Sequence, residues 1–226
     1  MKYKAILLDI DDTLYCYDTA HSFAIKNIIK YFQSEFKLDK ETILLNYEIS
    51  RKKFHLNLDK TASSHNRLLY FQNMCELLDI NPLSYCKKLN NLYWDKFLEN
   101  LKIFEGVYEL LEKYKKKICF ITDLTADIQY KKIEKLNLYK YSETIVTSEE
   151  AGIEKPHPTI FNLALKKLGT QAEDVCMIGD NFYKDICGAK NVHIDSIWFN
   201  HKHINKTYNK KKIKEVISFT EILDLV

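Results

Sequence analysis

The chain has 226 residues, of which 46% are hydrophobic, and its formal net charge is +3. This length suffices for one sizeable domain or for a core domain with an appendage, and the composition excludes disordered and fibrous proteins. Only two basic residues are arginines, whereas nucleic-acid-binding proteins favour arginine, so the composition argues against a nucleic-acid partner.

The six cysteines follow no metal-binding or disulfide pattern. No two of them form a C-x-x-C pair, and most lie in apolar runs or amphipathic helices, where a thiol behaves as a small hydrophobe. The opening apolar run is too short for a signal peptide, and no later run is as long as a membrane span. We therefore expect a reduced, cytoplasmic protein without a membrane partner, either a monomer or a homodimer.

The first strand is predicted at residues 3–9, where an apolar run leads into a cluster of acids. In the stretch "ILLDIDDTL", three consecutive apolar residues lead into Asp9, and Asp11 and Asp12 follow after one more. Carboxylates at this spacing repel one another, so either a cation lies among them or they are solvated in a loop. The residues at the ends of the later strands help to distinguish a bound cation from solvation.

Residues 15–104 contain no convincing strand and predict a helical unit inserted after the first strand. Asn81-Pro82 separates two of its helices. Apolar residues recur at helical spacing in three segments: Ala24, Ile28, Tyr31 and Phe32, then Leu68, Phe71, Cys75 and Leu78, then Leu89, Leu92 and Tyr93. We predict one domain from residues 1–14 and 105–226 and a second, helical domain from residues 15–104.

From residue 106 onward, helices alternate with short apolar strands. The helices are predicted at 107–114, 126–137, 159–168 and 184–190, and the strands at 117–122, 144–148, 175–180 and 196–199. Continuous apolar strands separated by helices predict an α/β fold, with a Rossmann-like parallel sheet and helices on both faces. Ligands of such sheets bind beyond the carboxyl ends of the strands.

The residues that follow these strands could form one site. They are Asp9 and Asp11 after the first strand, Thr122 and Asp123 at the end of the second, Lys155 after the third, and Asp180 and Asp185 after the fourth. Carboxylates at this density require a hard divalent cation, and ligation by oxygen atoms alone suits Mg²⁺. The sequence therefore favours a metal over solvation as the counterion of the opening acids.

The motifs DxDxT, Thr after the second strand, Lys-Pro and GDxxxxD, in this order, resemble those of the haloacid dehalogenase superfamily. The segments "GIEKPHPTIF" and "MIGDNFYKDICGAKN" are especially similar to phosphatases of the family. The resemblance implies Mg²⁺-dependent hydrolysis of a small phosphorylated metabolite, a sugar phosphate or a nucleotide. It also implies that residues 15–104 are a cap of the C1 type, which places the protein in subfamily I.

The resemblance implies a role for each motif residue. Asp9 would be the nucleophile that forms an aspartyl-phosphate, with its carboxyl ionised at neutral pH because the ordinary pKa is about 3.9. Asp11 would be the general acid and base. Thr122 would bind a phosphoryl oxygen, Lys155 would neutralise charge on the transferring group, and Asp123 would contact substrate through its backbone.

The metal ligands implied by the resemblance are the Asp9 carboxylate, the Asp11 backbone carbonyl and Asp180, with Asp185 in support. Asp185 has an alternative role as the cap of the following helix. A phosphosugar mutase and a non-catalytic phosphate-binding relative remain alternatives for the whole protein, because both can carry these motifs. A dehalogenase of the same superfamily does not need an acid at position 11, so Asp11 argues against dehalogenation.

Both arginines of the chain, Arg51 and Arg67, lie in the helical insert. Arginine has a planar fork that matches a carboxylate or phosphate, so we hypothesise that one of the two, Arg67 in preference to Arg51, binds an anionic or hydroxyl-rich part of the substrate. The alternative is that both are ordinary surface or structural ion-pair residues. The lysine-rich segment 201–214 has one aromatic residue and no arginine, so we expect a solvated loop and helix face there.

Overall fold

The computed structural model describes residues 2–208 and 213–226. The chain divides into two compact units, one of Met1–Cys16 and Lys102–Val226 and one of Tyr17–Leu101. The first unit contains the parallel sheet, and the second, all of whose residues are described, contains helices and no strand. None of the described helices is both long and apolar enough to cross a bilayer.

A six-stranded sheet in the order β3-β2-β1-β4-β5-β6 forms the centre of the first unit, and every neighbouring pair of strands is parallel. The strands are β1 (Ala5–Leu8), β2 (Ile118–Thr122), β3 (Thr144–Thr147), β4 (Val175–Gly179), β5 (Asp195–Phe199) and β6 (Lys214–Val216). Helices cover both faces of the sheet. The predicted fold class is confirmed.

Both faces of the central strands are buried, which explains why their sequences are continuously apolar rather than alternating. Leu7 of β1 pairs with Cys119 and Met177 on its two neighbours, and these three side chains share one face of the sheet. On that face they pack in a core with Phe161 and Ile160. Packing on this face therefore stabilises β1, the strand that leads into the acids.

The second unit consists of four helices. They are α1 (Tyr17–Phe36), α2 (Lys40–Asn57), α3 (Arg67–Leu77) and α4 (Pro82–Glu99), with a short 3₁₀ helix at Ala62–His65. The Asn-Pro pair lies between α3 and α4, as predicted; Asn81 caps α4 by accepting the Leu83 N–H, and Pro82 occupies the first helical position. On α1, Ala20, Ala24, Ile28 and Phe32 are buried at intervals of four residues.

The first unit contains six further α-helices among its described residues. They are α5 (Val107–Lys113), α6 (Ala126–Lys135), α7 (Ser148–Ala151), α8 (Pro158–Leu168), α9 (Gly188–Asn191) and α10 (Phe219–Leu225). A π-helical turn at Phe182–Cys187 precedes α9. The helix predicted at 184–190 is therefore divided between two helix types, and π-helical turns are often found at functional sites.

The C-terminal region differs from the prediction. Residues 201–208 are irregular, residues 209–212 lie outside the described part of the chain, and β6 and α10 follow. The expected helix face is absent from 201–208, and β6 was missed. With three residues at the edge of the sheet, β6 is too short to produce a recognisable period of apolar residues.

Candidate active site

The carboxyl ends of three adjacent strands bring three predicted site residues to one edge of the sheet. Asp9 directly follows β1, Thr122 is the last residue of β2, and Asp180 directly follows β4. β1 lies between β2 and β4, and the chain crosses from one side of β1 to the other at this point. Such a switch in strand order opens a crevice for ligands in parallel sheets.

Lys155 is buried and joins two buried carboxylates. Its Nζ donates to Oδ1 of Asp9 at 2.6 Å, to Oδ1 of Asp185 at 2.7 Å and to the carbonyl oxygen of Ile121 at 3.1 Å. The side chains of Lys155, Asp9 and Asp185 are each less than a tenth exposed. An ammonium group has three N–H donors, so all three are used and the position of the charge is fixed.

Three carboxylates form a compact oxygen cluster. Asp9, Asp180 and Asp185 each offer one oxygen, and these atoms lie within 4.8 Å of one another. Thr13 connects two of them, because its hydroxyl donates to Oδ2 of Asp9 at 2.9 Å and accepts the backbone N–H of Asp180 at 3.0 Å. Thr13 is the last residue of the DxDxT motif, and the sequence reasoning gave it no role.

The negative charges of this cluster are only partly compensated. Burial raises the pKa of Asp9 above its ordinary value, with Lys155 acting in the opposite direction and Asp185 adding to the increase. Burial and the nearby charges of Asp9 and Asp185 raise the pKa of Asp180 well above its ordinary value. The pKa of Asp9 is about 7, so burial works against the ionisation at neutral pH that its reference pKa predicts. Three clustered carboxylates beside one ammonium fit a hard divalent cation bound through oxygen.

A glycine permits the close approach of Asp185. A Cβ atom on Gly179, the last residue of β4, would lie 2.3 Å from Oδ2 of Asp185. That oxygen accepts the backbone N–H of Asn181 at 2.9 Å. Asn181, not Asp185, caps the π-helical turn, because its Oδ1 accepts the N–H groups of Tyr183 and Lys184.

The carboxylate of Asp11 lies outside the oxygen cluster and has its own partners. Lys132 contacts its two oxygens at 2.5 and 2.8 Å, Gln129 donates to Oδ2 at 2.7 Å, and the hydroxyl of Tyr15 donates to Oδ1. Burial acts to raise the pKa of Asp11, but Lys132 and these hydrogen bonds outweigh it and hold the pKa below its ordinary value. In this arrangement Asp11 is ionised at neutral pH.

Gln129 links Asp11 to the end of β2. Its Nε2 lies 2.7 Å from Oδ2 of Asp11, 2.8 Å from Oγ1 of Thr122 and 2.7 Å from the carbonyl oxygen of Asp123. Thr122 is fully buried. Its hydroxyl contacts Gln129, so Thr122 is part of a hydrogen-bond network as well as of the apolar strand. Gln129 and Lys132 are polar residues at buried positions of α6, three residues apart. That spacing was the available sequence signal for them.

Asp123 is turned toward the segment that carries Lys155. Its Oδ1 accepts the backbone N–H of Lys155 at 3.1 Å, and its Oδ2 pairs with Lys184 at 2.8 Å. Lys184 also pairs with Glu154 at 2.8 Å. The negative charge of Asp123 is therefore neutralised by Lys184, a residue that the sequence reasoning missed.

The two arginines of the helical unit have different environments. Arg51 is about half exposed and pairs with Glu48 one turn away at 3.4 Å. Arg67 is buried, and its guanidinium donates to the hydroxyl of Tyr17 and to the carbonyl oxygen of His65. The substrate contact predicted for Arg67 stays a prediction.

Residues 6–199 match the family model described as haloacid dehalogenase-like hydrolase, which is more than half of the chain. The chain belongs to this family. The match covers every motif residue of the oxygen cluster, together with Asp11, Thr122 and Lys155. The resemblance recognised in the sequence is confirmed at the level of the superfamily.

Several characterised relatives are phosphatases. The chain is 32% identical to the ribulose-1,5-bisphosphate 5-phosphatase of Halopiger xanaduensis, over 86% of this chain and 84% of the relative. It is 30% identical to the glyceraldehyde 3-phosphate phosphatase of Pyrococcus furiosus, over 98% and 93% of the two chains. It is 26% identical to the pyrimidine 5'-nucleotidase YjjG of Escherichia coli, over 90% and 88%.

A solved structure supports the fold. The HAD-hydrolase YfnB of Bacillus subtilis, in a crystal form bound to magnesium, superposes with a TM-score of 0.76. The two sequences are 19% identical, and the match covers 100% of this chain and 99% of YfnB. At this identity the similarity concerns the fold.

Proposed function

We propose that this hydrolase is a Mg²⁺-dependent phosphomonoesterase that acts through an aspartyl-phosphate on Asp9. The observation that supports this most directly is the buried contact of Lys155 with Asp9 and Asp185 beside Asp180. It places a nucleophilic carboxylate, a fixed positive charge and an oxygen cluster together at the edge where parallel sheets bind ligands.

The residues that would hold Mg²⁺ are Asp9, Asp180 and Asp185, together with the backbone carbonyl of Asp11. Their donor set fits the ion because all ligands are oxygens and the carboxylates exceed the local positive charge. When bound, Mg²⁺ supplies positive charge that reduces the repulsion between Asp9 and a phosphate dianion.

In the first half of the reaction, a carboxylate oxygen of Asp9 forms a bond to phosphorus while the bond from phosphorus to the ester oxygen breaks. The Nζ of Lys155 and the hydroxyl of Thr122 stabilise the charge on the phosphoryl oxygens. The leaving oxygen takes a proton from Asp11. Because Asp11 is paired with Lys132 in this structure, its carboxyl must separate from that ammonium and gain a proton first.

In the second half, water attacks the phosphorus of the aspartyl-phosphate. Asp11, now ionised, takes the proton of that water, and the bond from phosphorus to Asp9 breaks to give inorganic phosphate and the free carboxylate. Gln129 contacts both Asp11 and Thr122, so it holds the base and the phosphoryl-binding residue in register. This half uses Asp11 in the ionised form that the Lys132 contact favours.

We propose a sugar phosphate as the substrate class, because two of the relatives act on phosphates of small sugars. A nucleotide is the second candidate, supported by the similarity to a pyrimidine 5'-nucleotidase. A cytoplasmic location is part of the proposal, since all six cysteines are free thiols, as suits a reducing compartment.

The experiment is a phosphate-release assay of the purified chain against an aryl phosphate, sugar phosphates, a sugar bisphosphate and nucleotides. We expect hydrolysis that requires Mg²⁺ and that stops in excess chelator. A mutase assay with a sugar bisphosphate activator tests the rival activity. Absence of phosphate release from every ester, from a folded protein in Mg²⁺, would contradict the proposal.

A further inference from the structure

We propose that Arg67 is the binding residue of a second site, an oxyanion site inside the helical unit. The ligand class is a carboxylate or phosphate group. All residues of the site belong to that unit, and the site does not require phosphatase activity.

The register of α3 turns Arg67 inward. The buried residues of this helix include Arg67, Tyr70, Phe71, Met74 and Cys75, at positions i, i+3, i+4, i+7 and i+8. Arg67 thus occupies the first position of the apolar stripe, where a hydrophobic residue is expected. Leu68, which the sequence analysis assigned to the buried stripe, is 36% exposed instead.

The guanidinium of Arg67 lies among aromatic rings. Its Cζ is 5.2 Å from the ring centre of Tyr70 and 5.5 Å from those of Tyr93 and Trp94. The hydroxyl of Tyr17 accepts a further hydrogen bond from it. Aromatic faces attract a cation but do not neutralise it.

Hydrogen-bond donors of Arg67 are left over. Guanidinium has five N–H donors, and the contacts that Arg67 makes are with the Tyr17 hydroxyl and the His65 carbonyl. Its Nε is buried and has no hydrogen-bond partner in the described part of the chain. Within residues 2–208 and 213–226, Arg67 forms no ion pair with a carboxylate, in contrast to Arg51 with Glu48.

A second unsatisfied polar group belongs to the same cluster. The hydroxyl of Tyr47 is buried and has no hydrogen-bond partner among the residues that the structure describes. The centre of the Tyr47 ring lies 6.1 Å from that of Tyr70, which itself contacts Arg67. A buried cation without a counter-charge and a buried hydroxyl without a partner are both costly. One oxyanion would satisfy both, since a carboxylate or phosphate accepts from the guanidinium fork and from a hydroxyl.

Lysine would not serve equally well at this position. The chain uses lysine at every other basic position except Arg51, and lysine is a strongly hydrated point charge, whereas arginine offers a planar fork and stacks on aromatic rings. The choice of arginine at a buried aromatic position therefore favours recognition of a planar or tetrahedral oxyanion over surface solvation.

The test uses Trp94 as the reporter. The chain has two tryptophans, so a Trp198→Phe variant leaves Trp94 as the only one, 5.5 Å from the guanidinium. Its fluorescence is titrated with inorganic phosphate and with malonate, at constant ionic strength set by sodium chloride. We expect a saturable change for both oxyanions. Absence of any saturable change in the folded protein would overturn the proposal.

Substitutions in this background locate the site. Arg67→Lys keeps the charge but loses the fork, so the affinity for phosphate should fall about tenfold or more. The matched control Arg51→Lys should leave it unchanged. Equal affinity in Arg67→Lys and its parent would overturn the proposal, as would loss of the signal in Lys155→Ala, which would place the phosphate in the active site.

Arg67→Gln, with circular dichroism and the melting temperature as folding controls, provides a second variant if Arg67→Lys is unstable. A kinetic arm, which rests on the proposed function, identifies the source of the anion. If the anion is part of the substrate, Arg67→Lys should raise KM for a sugar bisphosphate and not for an aryl phosphate. If Arg67→Lys weakens phosphate binding but leaves KM for the sugar bisphosphate unchanged, the site exists and its ligand is a free oxyanion rather than part of the substrate.

Discussion

Asp9 and Asp11 are two residues apart, yet their carboxylates have different surroundings. Asp9 lies with Lys155, Thr13 and the other cluster acids, where burial raises its pKa. The Asp11 carboxylate is held by Lys132, with a pKa below the ordinary value. The difference follows from their neighbours, because both residues have the same intrinsic pKa.

Replacing these two acids should therefore have different effects. Asp9→Asn removes the nucleophile, so turnover should fall nearly to background while the protein stays folded. Asp11→Asn removes the proton donor and acceptor, so both halves slow, by roughly 10²–10⁴-fold, with the larger effect on esters with poor leaving groups. Steady-state rates on aryl phosphates of graded leaving-group pKa measure this. More than a few per cent of the wild-type rate in Asp9→Asn would contradict the nucleophile.

We expect His21 in the helical unit to make the free energy of unfolding depend on pH. Burial, followed by the charges of Arg67 and Arg51, lowers its pKa to about 4, and Asp18 acts weakly in the opposite direction. Its ring also contacts the hydroxyl of Tyr93 at 2.7 Å. Because the unfolded chain binds the proton more tightly, the free energy of unfolding should decrease as pH falls from 6.5 toward 4, by at most ~1.4 kcal/mol per pH unit.

Urea unfolding across this pH range measures the effect, and the difference between wild type and His21→Gln isolates it from the other histidines. The variant should lose less stability than the wild type below pH 6. Parallel curves for the two proteins would mean that His21 titrates alike in the folded and unfolded states.

At the scale of elements, the segment between α7 and α8 is held by charges. Asp123 after β2 accepts the N–H of Lys155 and pairs with Lys184 of the π-helical turn, which also pairs with Glu154. The position of Lys155 is thus fixed by contacts with the end of β2 and with the π-helical turn, which are distant from it in sequence.

Lys184→Met should loosen this segment. Because Asp123 and Glu154 would lose their shared counter-charge, we expect stability to fall by ~1–3 kcal/mol and kcat to fall about tenfold with a smaller change in KM. Lys167→Met is the matched control, since Lys167 pairs with Glu150 on the more exposed surface of the same region. Equal kcat values for the two variants would show that the contact does not position Lys155.

The turn after β4 sets a steric limit. Gly179→Ala would place a methyl group 2.3 Å from the present position of the Asp185 carboxylate oxygen. Asp185 must then move, so we expect the free energy of unfolding to fall by ~1–3 kcal/mol. We also expect weaker Mg²⁺ binding, seen as a higher Mg²⁺ concentration for half-maximal activity. Thermal melts and Mg²⁺ titrations of activity measure both. Wild-type values for both would mean that the turn relaxes freely.

At the scale of the whole molecule, metal binding should couple to folding. Bringing Asp9, Asp180 and Asp185 together costs electrostatic free energy that a bound cation offsets, and a ligand that binds only the folded state raises its stability. Mg²⁺ should therefore raise Tm, and excess chelator should reverse the increase. Ca²⁺ should inhibit activity, because it prefers more ligands and looser geometry.

Asp180→Asn, measured by differential scanning calorimetry, is the control for this coupling. It removes one ligand and one source of repulsion, so the Mg²⁺-dependent rise in Tm should shrink while Tm without metal stays equal or increases. An undiminished rise in Tm would place the bound metal elsewhere.

Much of the fold could be predicted from sequence, because its signals are local. Apolar runs that end in acids and the Asn-Pro pair before α4 act through nearest neighbours, and apolar strands that alternate with helices predict a parallel sheet. For the same reason, the acids at the strand ends could be assigned to one edge. β6 was missed because three residues at a sheet edge carry too little pattern.

The partners of the site residues were decided only by the tertiary structure. Lys132 contacts Asp11 and Lys184 contacts Asp123 across separations of 121 and 61 residues, and no local pattern indicates which acid each lysine contacts. The sequence by itself determined which side chains follow each strand, because the end of each apolar run marks the end of the strand. Which carboxylate is ionised, and which arginine is buried, depends on burial and on distant charges that exist only once the chain has folded.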